Sequence, residues 1–263
     1  MKYIAIYSII YIVYLYALMI LHKRKDINMI GGTLDIQTFL KYFSRIATLL
    51  LVLPLHESAH GLMAKWLGDD TAQRQGRISL NPFVHLDPLG SILMILGGFG
   101  WAKPVEVNPL RFRHYRAGYA LTALAGPVSN LLASFVSALA FAVILCFRSG
   151  QMAYLRLITN QYDTMSCLLL LLQFLIIVNI GLALFNLIPV PPLDGFNILR
   201  AFTPEKFDRW VYQHQREINY VFFALFFLIN VVPSKYSPLA IASEYLYGLM
   251  MKAVLWIPDV FGA

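Results

Sequence analysis

The stretch LPLHESAHGLMAKWL, residues 53–67, sets titratable side chains into an otherwise apolar run. His56, Glu57 and His60 form the pattern H-E-x-x-H. On a helix, positions i and i+4 lie on one face about one turn apart, so both imidazoles can bind one metal ion. The glutamate between them can take a proton from a water molecule at that ion. The pattern therefore predicts a helix that carries a zinc site, with a chance match on an amphipathic helix as the alternative.

Composition predicts that this helix lies in a membrane. Of the 263 residues, 59% are hydrophobic and 13% are charged, whereas a soluble domain averages about 45–50% and about 25%. Ionisable side chains at membrane depth are costly and mark function by default, which favours the metal site over a chance match. The net charge of +7 is expected to come from basic residues in cytoplasmic loops, where they contact anionic lipid. Because no basic tract carries interleaved aromatic residues, we expect no nucleic-acid partner.

Apolar segments long enough to cross the hydrocarbon layer of about 30 Å recur along the chain. They are residues 3–21, 38–67, 117–147 and 166–188, with further segments at 218–232 and 238–257. The first of these further segments is short and the second contains Glu244 and Lys252, so each is either a spanning or an interfacial helix. We expect an all-α polytopic membrane protein of about four to six transmembrane helices, with residues 1–263 in a single membrane-embedded domain.

The segment 68–116 differs from these spans. Residues 91–99 are apolar but too short to cross a bilayer, and the following GWAKPVEVNP alternates and contains prolines. This pattern predicts a re-entrant loop followed by a β-hairpin at 100–108, between the second and third spans. Strand backbone at membrane depth must pack on protein or line a water-filled cavity. We therefore expect a wet cavity beside the hairpin.

Basic residues predict the orientation of the chain. Residues 65–116 contain seven lysines and arginines and residues 200–216 contain four, whereas residues 148–165 contain two. The positive-inside rule predicts that the first two regions are cytoplasmic and that the third is not. The site is then expected at the cytoplasmic side of the plasma membrane. The basic cluster at 22–25 conflicts with this arrangement and leaves the orientation of the first helix open.

A catalytic zinc ion needs a third protein ligand, and NLIPVPPLDGFNILR, residues 186–200, offers Asp194. This aspartate follows prolines that end the fourth span, at the same membrane side as the end of the second span. Taken alone, an aspartate before a helical pattern is typical of an N-cap, and Asp-Gly is typical of a turn. Taken with the motif on the second span, Asp194 is predicted to be a zinc ligand.

Further polar residues are candidates for roles around the metal. Asn130, in AGPVSNLL, either bonds a substrate carbonyl or oxyanion beside zinc or packs between helices, and the sequence leaves both open. His85 and Asp87, in NPFVHLDPLG, either support the site or form a peripheral turn, and we expect support rather than ligation. Val105, in the predicted hairpin, is a candidate for pairing with an extended substrate strand.

Ordered motifs across residues 50–200 give the chain a specific resemblance to the site-2 protease family of intramembrane zinc metalloproteases, peptidase family M50. They are HESAH, NPFVHLDPLG with GFGWAKPVEVNP, GPVSN and NLIPVPPLDG. The resemblance implies one Zn²⁺ per chain, held by His56, His60 and Asp194, with Glu57 as general base. Asn130 matches the asparagine of the family's third span. The chain is similar to a compact branch without PDZ-like or CBS-like insertions, and residues 1–30 and 217–263 are expected to be accessory helices.

The resemblance implies hydrolysis of peptide bonds in or near transmembrane segments. The expected substrate is a single-pass membrane protein already trimmed by another protease, while its identity and the oligomeric state of the chain stay open. A metal or proton transporter is a rival interpretation, but transporters carry repeats and midplane pathways that this sequence lacks. A non-catalytic zinc-containing receptor is a second rival, but such a protein would have no need of Glu57.

Overall fold

The structure, a computed structural model, describes residues 36–97, 102–159, 161–231 and 237–261. Throughout these ranges the regular structure is helical, and no β-strand is present in them. One isolated antiparallel bridge joins Leu86 to Ala102. The predicted all-α class is therefore confirmed. The predicted span at 3–21 lies outside the described residues.

Helices follow one another along the described ranges with short connections. In chain order they are α1 (Ile36–Ala47), a π-helical segment (Thr48–Val52), α2 (Leu53–Trp66), α3 (Thr71–Arg74), a 3₁₀ turn (Pro82–Val84), α4 (Pro88–Gly97), a second 3₁₀ turn (Pro109–Arg111), α5 (Tyr115–Leu145), α6 (Arg148–Ile158), α7 (Thr164–Asn186), α8 (Asp194–Arg200), α9 (Glu205–Gln213), α10 (Gln215–Val231) and α11 (Pro238–Phe261).

Four helical stretches are long and apolar enough to cross a membrane. They are Tyr42–Trp66, which runs through the π-helical segment into α2, and the helices α5, α7 and α11. The predicted segments 38–67, 117–147, 166–188 and 238–257 thus all fall on such helices. The remaining segment, 218–232, falls on α10, whose 17 residues rise about 26 Å at 1.5 Å per residue, short of a full crossing.

The predicted hairpin at 100–108 is not confirmed. Its first residues lie outside the described ranges, and 103–108 run without a partner strand. Pro104 has no backbone donor, so a regular ladder cannot continue through it. Side chains from elsewhere bond this backbone instead, as described below. The apolar residues before it form the ten-residue helix α4, and the predicted re-entrant path is likewise not confirmed.

Helix α5 is central, with α2, α7, α8 and α11 packed against it. Small residues on its buried side, including Ala123, Ala138 and Ala142, allow neighbouring helices to approach closely, as in membrane bundles. Large apolar side chains such as Leu132 and Val136 face outward, more than 60% exposed, which suits lipid as the surrounding solvent. The site described next lies where α2, α5 and α8 meet.

Candidate metal centre

His56 and His60 lie one turn apart on α2, close enough to share a ligand. The π-helical segment ends directly before α2, and Pro54 occupies the first turn of the helix, where a missing backbone donor costs nothing. The two Nε2 atoms lie 3.0 Å apart, and the ring planes are nearly perpendicular, at 86°. The predicted placement of both imidazoles on one helix face is therefore observed.

Asp194 is brought to the histidines by the turn that follows α7. It is the first residue of α8, and its Oδ2 lies 3.4 Å from Nε2 of both His56 and His60. The N-cap of α8 is Leu193, and no side chain caps the helix. The interpretation of this aspartate as an N-cap is therefore wrong. Its Oδ2 is buried and has no hydrogen-bond partner among the described residues.

The three atoms have the spacing of a tetrahedral metal site. Ligand atoms at about 2.0–2.1 Å from a tetrahedral zinc ion lie about 3.3–3.4 Å from one another, and the observed separations are 3.0, 3.4 and 3.4 Å. An unpartnered buried carboxylate oxygen facing two imidazole nitrogens is costly without a cation between them. The donor set, two histidines and one carboxylate, suits zinc and leaves a fourth position open. The residues present fit the ion.

Hydrogen bonds on the far side of each ring fix the histidine tautomers. Nδ1 of His56 lies 2.5 Å from Oδ1 of Asn130, and Nδ1 of His60 lies 2.7 Å from the Thr122 carbonyl oxygen. Both oxygens can only accept, so both Nδ1 atoms carry the proton. The Nε2 lone pairs consequently face each other and Asp194, as metal ligation requires.

Asn130 is held behind His56 and does not line the cavity. Its Nδ2 donates to Oδ1 of Asn179, 2.8 Å away, and Asn179 in turn donates to the Leu175 carbonyl. Asn130 is 0% exposed. Both ends of its amide are thus engaged within the bundle, on the side of the ring away from the cavity.

Gly126 permits the close packing of α5 on the two rings. A Cβ atom built at this position would lie 2.5 Å from Cε1 of His56 and would also overlap Nε2 of His60. No side chain larger than hydrogen fits there without displacing the histidines. Gly195 is constrained in the same way beside Asp194, since a Cβ would overlap the Leu187 carbonyl group.

Glu57 is buried at the wall of the site. Its Oε2 accepts a hydrogen bond of 3.0 Å from the backbone N–H of Val105. The segment 103–108 therefore crosses directly beside the carboxylate. A cavity of about 600 Å³ opens here, lined by His56, Glu57, His60, Pro104, Val105, Glu106, Val107, Tyr119, Thr122, Pro192, Asp194 and Asn197, among others.

His85 and Asp87 lie outside this cavity. The buried His85 ring bonds the Ser79 carbonyl through Nε2, at 2.8 Å, and Ser58, the residue after Glu57, donates to the same carbonyl. Burial lowers the pKa of the His85 imidazole. Asp87 accepts from the Gly90 N–H at 2.8 Å, at the start of α4. Neither residue contacts the three candidate ligands.

A comparison with known families decides the membership of the chain. The model of peptidase family M50 matches residues 44–229, which contain all three candidate ligands and Glu57. The chain belongs to peptidase family M50. It is therefore an intramembrane zinc metalloprotease.

Two proteins similar to this M50 chain have names that describe zinc metalloproteases. It is 40% identical over 159 residues to "Putative zinc metalloprotease YwhC" of Bacillus subtilis (strain 168), covering 60% of this chain and 68% of that protein. It is 28% identical over 176 residues to "Putative zinc metalloprotease Rip2" of Mycolicibacterium smegmatis (strain ATCC 700084 / mc(2)155), covering 61% of each. No solved structure matches the chain.

Sequence reasoning missed several parts of this M50 site. His60 contacts the backbone carbonyl of Thr122. Because every residue has such a carbonyl, the sequence cannot indicate this contact. Asn197 lines the cavity and stands in the quoted NLIPVPPLDGFNILR, but nothing in that pattern assigns it a role. Gly126 stands in the quoted AGPVSNLL, inside α5, which also contains Pro127. The packing of this glycine against the candidate ligands can be predicted only when the position of α2 relative to α5 is known.

Proposed function

We propose that His56, His60 and Asp194 hold the single Zn²⁺ of this intramembrane protease and that Glu57 is its general base. The observation that carries the assignment is the triangle formed by two Nε2 atoms and the buried, unpartnered Oδ2 of Asp194. Each pair of atoms has about the separation of neighbouring ligands on one tetrahedral ion.

The chemistry divides between the metal and the glutamate. When bound, zinc polarises a carbonyl and acidifies a water molecule. Glu57 follows His56 on α2 and can take the proton from that water and deliver it to the leaving amine. The Val105 N–H occupies one acceptor position of Oε2, so the other carboxylate oxygen is the less engaged one for proton transfer.

We further propose that the substrate binds in extended form along residues 103–108. A helix shields its own carbonyls, so the scissile segment must unwind before hydrolysis. The Val105 N–H is already used by Glu57. Glu106 and Val107 line the same cavity, and neither backbone N–H has a hydrogen bond within the described residues, so this edge is the proposed site of strand addition.

The proposed substrate is a single-pass membrane protein already shortened by another protease. A cavity of about 600 Å³ suits one extended segment rather than a folded domain. The basic residues of 65–116 and 200–216 favour a site that opens toward the cytoplasm, in the plasma membrane.

Zinc content tests the ligand assignment. Asp194→Ala removes one of three ligands and should lower zinc occupancy of the purified protein well below one per chain. Asp87→Ala is the matched control, because this aspartate bonds Gly90 outside the cavity, and it should keep its zinc. Full zinc occupancy in Asp194→Ala would contradict the assignment.

A further inference from the structure

Glu57 depends on a backbone group that no helix or sheet holds in place. The Val105 N–H that bonds its carboxylate belongs to residues 103–108, which have no regular structure. A loop segment is normally more mobile than the elements it connects. Something else must therefore fix this N–H if the carboxylate is to keep one orientation.

Arg77 supplies that fixation from inside the protein. It is 5% exposed, and its guanidinium donates to three backbone carbonyls. Nη1 donates to Val84, and Nη2 donates to Lys103 and, at 2.8 Å, to Pro104. A buried cation is costly unless its donors are satisfied, and a planar guanidinium can satisfy several carbonyls at fixed angles.

The Pro104 carbonyl and the Val105 N–H are two ends of one peptide group. That group is planar, so holding its oxygen also fixes the direction of its N–H. The line of contacts runs from the Arg77 guanidinium to the Pro104 oxygen at 2.8 Å and from the Val105 nitrogen to Glu57 Oε2 at 3.0 Å. A cation on the carbonyl also polarises the peptide and strengthens its N–H as a donor.

We propose that Arg77 is a positioning residue for Glu57, acting through the Pro104–Val105 peptide. This proposal rests on Glu57 acting as general base. Arg77 does not itself line the substrate cavity, and its hydrogen bonds go to backbone carbonyls rather than to a candidate ligand. Its effect on hydrolysis must therefore act through the orientation of the Glu57 carboxylate. A residue that only stabilised the loop would not have this specific effect on Glu57.

Arg77→Lys is the informative variant, since it keeps the charge but cannot reach all three carbonyls with a fixed fork. We expect kcat for a labelled single-span Leu-Ala peptide with a central Gly-Pro pair to fall about tenfold or more. KM should change by less than about twofold, and zinc content should stay at one per chain. The Val105 amide should exchange faster with deuterium. Arg74→Lys, an exposed arginine on α3 paired with Asp70, is the matched control and should leave all four quantities unchanged.

A double-mutant cycle separates positioning from general support. Replacing Val105 by its α-hydroxy acid turns the amide into an ester, which removes the N–H and also weakens the Pro104 carbonyl as an acceptor for Arg77. In that background Arg77→Lys should lower kcat by less than about twofold further, because both changes act through one contact. Additive losses, an unchanged kcat in Arg77→Lys, or loss of zinc and thermal stability in step with activity would each overturn the proposal. An active Glu57→Gln enzyme would instead refute the proposed general base.

Discussion

Nδ1 of His56 and Oδ1 of Asn130 lie 2.5 Å apart, in the buried centre of the bundle. This contact determines which nitrogen of the ring faces Asp194. The other end of the amide is anchored to Asn179 on α7, so the orientation of a candidate ligand on α2 depends on α5 and α7 together. Asn130, for which the sequence left substrate contact and helix packing both open, thus lies where it orients a candidate metal ligand.

Asn130→Leu is predicted to weaken zinc binding by about 10–100-fold, the usual effect of removing the hydrogen-bond partner of a ligating histidine. The His56 ring would be free to change tautomer and rotate. Competition with a chelator of known affinity measures the change. Asn186→Leu, another buried asparagine whose Nδ2 bonds only its own helix at Leu182, is the control. Equal zinc affinity in the two variants would contradict this role.

Gly126→Ala is predicted to abolish tight zinc binding although it adds a single methyl group. The new Cβ would overlap both histidine rings, and the rings or α5 must move apart. Gly248→Ala on α11, where a Cβ meets nothing within 4 Å, should behave like the natural protein. Zinc content and thermal melting of the two variants give the comparison. Normal zinc binding in Gly126→Ala would show that the ligands do not pack against α5 as described.

Four of the expected spans and the placement of His56 and His60 on one helix face could be predicted from the sequence because each depends on a local pattern. High hydropathy over about 20 residues indicates a membrane-crossing helix. The spacing of H-E-x-x-H places the two histidines one helical turn apart on the same face. The role of Asp194 is harder to predict from the sequence, because an aspartate at the start of a helix can be either an N-cap or a metal ligand. The distance of 3.4 Å to both histidines and the position of Leu193 as the N-cap separate the two interpretations.

The hairpin predicted for 100–108 is not confirmed, and the hydrogen bonds of its described residues 103–108 are not local. Alternation and prolines are typical of a hairpin, but the groups that bond 103–108 lie about 20–50 residues away in sequence. Arg77 bonds Pro104, Glu57 bonds Val105, and Asp69 bonds Asn108. Each of these pairings appears only when α2 and the loop after it are folded together.

Orientation in the membrane is predicted by charge and can be measured directly. Single cysteines at Gln75 and Lys206 should react with a membrane-impermeant thiol reagent from the cytoplasmic side, and a cysteine at Gln151 from the opposite side. Cys146 and Cys167 are first replaced by serine. Labelling of position 151 from the cytoplasm would place the cavity at the other face.

Substrate unwinding is predicted to limit the rate. A series of single-span substrates with the same length but graded helix propensity should be cleaved faster as Gly or Pro is introduced near the scissile bond, because these residues lower the cost of leaving the helix. Rates in vesicles, compared at equal substrate density, test this. Equal rates across the series would mean that the helix is not the barrier.

Glu57→Gln gives the most direct test of the mechanism. The amide keeps the size of the side chain and an acceptor for the Val105 N–H but cannot take a proton. Zinc should stay at about one per chain, while cleavage of a single-span substrate in vesicles should fall by about 10²–10⁴-fold, the usual contribution of general-base catalysis. Retained zinc with lost cleavage is the predicted result, and cleavage at the natural rate would contradict the account.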